Sequence, residues 1–107
     1  MKRETKAARI RVALVEDDAQ LRHLFKGWVE AAAHLELVGE FADAESAIRD
    51  LPNRAVDVVL VDINLPKMSG IRLVATLKAR HSSLQFLMLT VYENSDKIFQ
   101  ALQTLRD

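Results

Sequence analysis

At 107 residues with half of its positions apolar, the chain has material for one hydrophobic core and one domain. Its 15 Lys and Arg balance its 15 Asp and Glu, so no net field draws it to nucleic acid or an anionic membrane. The lack of cysteine excludes disulfides and thiolate metal sites, and no apolar run approaches the roughly 20 residues that span a bilayer.

Met1 to Arg9 is a charged extension without the apolar centre of a signal peptide, so the domain is expected from Ile10 to Asp107, in a reducing cytoplasm. Ile10 to Val15 is a short apolar run ending in Glu16-Asp17-Asp18, the pattern of a strand buried on both faces with a wet C-terminal end. From Ala19, Leu21, Leu24, Phe25, Trp28, Val29 and Ala32 keep the spacing of an amphipathic helix, with Asp18 as its cap and Phe25 and Trp28 expected in the core. Leu35 to Ala42 predicts a more exposed strand, and Asp43 then caps a short helix carrying Ala44, Ala47, Ile48 and Leu51 inward.

Ala55 to Ile63 is the densest β-branched stretch and predicts a central strand, again ending on an acid, Asp62. After the loop Leu65 to Gly70, Ile71, Val74, Ala75 and Leu77 mark the inner side of a third helix, with Arg72, Lys78 and Arg80 outside. Leu84 to Thr90 is a fourth strand, and Asn94 to Leu105 a last helix. This alternation implies an α/β doubly wound parallel sheet with right-handed crossovers, whose ligands sit at the carboxyl ends of the strands. Those ends carry Glu16, Asp17, Asp62 and Thr90.

Neighbouring first and central strands would bring these carboxylates together, and two unit charges about 4 Å apart repel by about 4 kcal/mol at an effective dielectric near 20. A hard divalent cation answers that repulsion. Oxygen donors without histidine or cysteine favour magnesium, or the similar manganese, over zinc. A carboxylate beside such an ion can attack a phosphoryl group, and the Thr90 hydroxyl at the next strand end could bind a phosphoryl oxygen. His23, His34 and His81 have no spacing that pairs them as ligands.

Three segments carry a resemblance to a known family. Val15-Glu16-Asp17-Asp18, Leu60 to Gly70 and Met88-Leu89-Thr90-Val91 resemble the acidic pocket, the phosphorylation strand and loop, and the hydroxyl-bearing strand of response-regulator receiver domains. The resemblance implies a flavodoxin-like sheet of order 2-1-3-4, with Asp62 as phosphoacceptor and Glu16, Asp17, Asp62 and the Asn64 carbonyl around the metal. It further implies Thr90 as the switch hydroxyl and Pro66 and Gly70 as shapers of the pocket loop, and it assigns a sensor histidine kinase as partner. Leu89 to Leu102 resembles the subgroup followed by a DNA-binding domain of the NarL/LuxR kind, so transcription control would belong to a full-length form and nucleic-acid binding is not expected of this chain.

The family pattern would continue past Leu102 into a fifth strand, bearing a pocket lysine, and a fifth helix, whereas this sequence reads Gln103-Thr104-Leu105-Arg106-Asp107. The fifth strand and helix are therefore expected to be missing, which would leave the edge of strand four and a face beside helix one open and favour a homo-oligomer. Two other readings follow. One is a degenerate receiver that no longer switches and serves in dimerisation; the other is a phosphohydrolase with an aspartyl nucleophile, which wants a second acid where Asn64 stands. The receiver reading implies a phosphoacceptor, not an enzyme.

Overall fold

Four runs, two of which close on acids, become the strands of one parallel sheet: β1 (Ile10–Val15), β2 (Leu35–Phe41), β3 (Val58–Asp62) and β4 (Gln85–Leu89), in the order β2-β1-β3-β4. The computed structural model describes residues 8–89; the predicted last helix and Thr90 lie outside the described residues. Three helices connect the strands, α1 (Ala19–Ala31), α2 (Ala44–Asp50) and α3 (Gly70–Arg80), with a 3-10 turn Leu51–Asn53 after α2. This is the doubly wound, flavodoxin-like α/β order.

Among the described residues, the two faces of the sheet are covered unequally. Ala13, Val15, Val59 and Val61 point to one side, where they form the main core with residues of α2 and α3 such as Ala44, Ala47, Leu73 and Leu77. On the other side α1 packs on β1 and β2, burying Leu21 and Val29. Leu14, Leu60 and Leu87 share a register row on that side, and their exposure rises away from α1 from 0 % at Leu14, through half-buried Leu60, to 59 % at Leu87.

The edge strand β2 departs from regular pairing. Val12 is level with Leu37 but Ala13 with Gly39, so Val38 is an extra residue, a β-bulge. Arg54 Nη1 donates to the Val38 carbonyl at 2.7 Å while its guanidinium lies over the Phe41 ring. Because side chains alternate between faces, the extra residue reverses the phase of everything after it. Phe41, level with Val15, therefore enters the α2–α3 core, and Glu40, level with Leu14, faces α1.

Three expectations are corrected. Trp28 is not core: it is 57 % exposed and rests against Phe25, with ring centroids 5.4 Å apart. In α3 the inward stripe is Gly70, Leu73 and Leu77 with Val74 half-buried, while Ile71 is 64 % exposed and Ala75 exposed. Five apolar residues between 71 and 77 left the helix's rotation open, and the close seating of Gly70 on the end of β3 fixes it. The central strand starts at Val58, three residues later than predicted, because the Asp57 carboxylate takes the Arg11 amide at 2.8 Å and the Arg11 guanidinium at 3.1 and 2.9 Å before the ladder begins.

Candidate functional site

β1 and β3 are adjacent and Val15 is level with Val61, so the residues that follow, Glu16 and Asp62, end up side by side at the carboxyl edge of the sheet. Asp17 completes the group: one carboxylate oxygen from each of Glu16, Asp17 and Asp62 lies within 4.8 Å of the others. Glu16 is fully buried and Asp62 nearly so, whereas Asp17 is exposed. Two of the acids are thus buried and the third faces solvent.

Backbone groups hold the acids in place. Asp18 N donates to Glu16 Oε2 at 3.0 Å, and Asn64 N donates to Asp62 Oδ1 at 2.9 Å. Asp18 caps α1, its Oδ1 accepting from the amides of Gln20 and Leu21 at 2.9 and 3.0 Å, which leaves it outside the acidic group as expected. A residue the sequence reading passed over, Arg22, lies behind the loop: its Nη1 donates to the Glu16 carbonyl at 2.8 Å and the Asp17 carbonyl at 3.4 Å. Its only sequence signal is that it lies one helical turn after the cap, which is weak.

The loop after β3 is equally confined. Gly70 N donates to the Ile63 carbonyl at 2.9 Å, and a Cβ on Gly70 would overlap the Asp62 carbonyl oxygen and come within 2.9 Å of its carbon. Only glycine allows α3 to start this close to the acid. Ser69 caps that helix through a 3.2 Å bond from Arg72 N. Between Pro66 and Met68 the chain makes a three-residue turn, with Met68 N donating to the Pro66 carbonyl at 2.6 Å and Lys67 at φ 66 in the left-handed region. Thr90, expected as the switch hydroxyl, lies outside the described residues.

Burial raises the pKa of Glu16 from 4.5 to about 8, against the opposing pull of the Asp18 amide, and the neighbouring charge of Asp62 adds to it. Burial likewise raises Asp62, although the Asn64 amide favours its ionised form. When ionised, Glu16 has a buried Oε1 with no hydrogen-bond partner among the described residues, while carboxylate oxygens of Glu16 and Asp62 lie within 4.8 Å of each other. An orphaned, buried carboxylate oxygen amid three oxygen donors fits a hard divalent cation, which would satisfy that oxygen and offset the repulsion.

Comparison with known proteins places this geometry among relatives. The family model described as the response regulator receiver domain matches residues 12–105. A protein-glutamate methylesterase/protein-glutamine glutaminase from Shewanella sp. is 37 % identical over 95 residues, covering 87 % of this chain and 27 % of the relative. The transcriptional regulatory protein UhpA of Escherichia coli is 32 % identical over 93 residues, covering 87 % of this chain and 46 % of UhpA. In three dimensions, RcsB from Salmonella enterica, solved bound to promoter rprA in the presence of phosphomimetic BeF3-, matches with a TM-score of 0.73 and 26 % identity over 80 % of this chain and 44 % of RcsB. The chain thus spans less than half the length of each of these proteins.

Proposed function

The chain belongs to the response regulator receiver family of two-component signalling, and on that premise we propose that it accepts a phosphoryl group on Asp62 from a sensor histidine kinase, in a magnesium-dependent reaction. The observation that carries this reading is the convergence of Glu16, Asp17 and Asp62 with a buried, unpartnered oxygen among them. Glu16, Asp17 and Asp62 would hold the ion together with the Asn64 carbonyl. Bound there, magnesium would offset the charge of the acids and of the incoming phosphoryl oxygens.

The chain's own residues supply the rest. The Asn64 amide donates to Asp62 Oδ1 and so orients the carboxylate that would attack. An O–P bond forms at Asp62 as the P–N bond of a phosphohistidine breaks, and the histidine leaves with its electron pair and takes a proton from solvent. Thr90, next in sequence after β4, would bind a phosphoryl oxygen and carry the signal. Pro66 and Gly70 keep the loop beside Asp62 in its confined path.

Transcription control in a longer protein is supported by the kinship with UhpA and with promoter-bound RcsB, and a cytoplasmic location is part of the same proposal. Among the described residues no helix is long and apolar enough to cross a membrane. The test is intact-mass measurement after incubation with a small phosphodonor and magnesium. One added phosphoryl group that Asp62→Asn abolishes is the expected result; no gain, or a gain that survives the substitution, overturns the assignment.

A second reading, a dimerisation module that does not switch, draws on a different observation: apolar Leu87, Met88 and Trp28 lie exposed on β4 and α1. It predicts no mass gain together with stable self-association. In either reading, association through the β4 edge or the α1 face is part of the proposal.

A further inference from the structure

The peptide carbonyls of Glu16 and Asp17 need donors once β1 has ended, and at an exposed loop water would ordinarily supply them. Here Arg22 does, with one nitrogen reaching both. Arg22 is itself anchored, its Nε 3.6 Å from Glu40 Oε1, and Glu40 Oε2 lies 3.2 Å from Lys26 Nζ. The Arg22 side chain is 23 % exposed, so it is fixed more firmly than a free surface arginine.

Building on the metal reading above, we infer that Arg22, buttressed by Glu40, is a positioning residue for the metal-holding pair. By drawing the two carbonyls back toward α1, Arg22 fixes the peptide planes that carry the Glu16 and Asp17 side chains, which then meet Asp62 within 4.8 Å. Glu40 reaches Arg22 only because the bulge at Val38 turns it toward α1; in unbroken alternation it would face the opposite side of the sheet. The edge strand thereby acts on the site without touching it. Groups that orient ligands in this way are worth 10–100-fold in metal affinity by their removal, roughly.

The experiment is calorimetric titration of the intact chain with Mn2+, with thermal unfolding recorded for every variant. Arg22→Ala is expected to weaken binding by about tenfold and Glu40→Gln by about threefold, the scale of a half-exposed ion pair. The double variant should bind no more weakly than Arg22→Ala alone, because Glu40 acts through Arg22. A folded Arg22→Ala chain that binds as tightly as the parent overturns the inference. So does a Glu40→Gln loss that persists in full without Arg22, which would mean that its charge alone attracts the cation.

Should Arg22→Ala not fold, Arg22→Lys replaces it; a single ammonium cannot hold the fork's geometry, and affinity equal to the parent's overturns the inference. Asp17→Asn serves as the reference that removes a ligand. A parent chain that takes up no Mn2+ removes the metal reading and the inference together, whereas a parent that binds and an Arg22→Ala chain that binds equally removes the inference alone.

Discussion

Replacing Glu16 with Gln should make the metal-free chain more stable at alkaline pH while making it a poorer magnesium binder. The buried carboxyl is raised from 4.5 to about 8. Below about 4.5 the folded and unfolded chains both keep the proton and burial of the group costs little. Between 4.5 and about 8 the unfolded chain loses the proton and the folded chain retains it, so stability falls as pH rises through that window and levels off above it. A gap of about 3.5 pH units at about 1.4 kcal/mol each sets a ceiling near 5 kcal/mol, which relaxation and water entry reduce to about 2–4 kcal/mol.

Gln keeps a side-chain oxygen to accept the Asp18 amide and carries no charge, so the variant's stability should vary much less with pH. A weaker slope of the same sign remains from Asp62, which is also raised. Urea unfolding followed by far-ultraviolet circular dichroism between about pH 5 and pH 8 measures both chains. Magnesium at a hundredfold excess over its Kd should restore about 2.7 kcal/mol to the parent and far less to the variant. A Glu16→Gln chain no more stable than the parent at pH 8, or one with the same pH slope, would refute the account of this carboxyl.

The loop after β3 offers two opposite tests. Gly70→Ala forces a methyl into the Asp62 carbonyl and should cost more than about 3 kcal/mol in urea unfolding, whereas a mild loss would show that α3 can slide. Lys67→Gly relieves a left-handed residue and should gain somewhat under about 1 kcal/mol after the added freedom of the unfolded chain, and a destabilised variant would contradict this. Sedimentation velocity should find the parent self-associated, with Leu87→Lys shifting it toward monomer; a monomeric parent at tens of micromolar rules out the open face as an interface.

Much of the sheet was legible because buried parallel strands write themselves as dense apolar runs, and the acids closing Ile10–Val15 and Val58–Asp62 marked which end was wet. The caps Asp18 and Asp43 were equally plain, since short acids before an apolar helix have few other uses. Residue order also implied that Glu16 and Asp62 would be neighbours, as strands one and three had to pair. What escaped was anything set by rotation or phase. The turn of α3 depended on how closely Gly70 approaches Asp62, a tertiary contact, and periodicity alone allowed two faces. The bulge at Val38 was hidden because Leu-Glu-Leu-Val-Gly-Glu-Phe reads equally as an irregular, half-exposed strand. Arg22 was missed because its work is done on backbone carbonyls, which leave no trace in the sequence.

Trp28 is the sole tryptophan, and it stands on α1 with more than half its surface in water. Its emission should therefore sit at the red, solvated end of the indole range and be readily quenched by iodide. Any body that settles over α1, whether another copy or a further domain, would shift that emission to the blue and shield it. The chain thus carries an intrinsic optical reporter on the face where its contacts are least settled, and no label is required to read it.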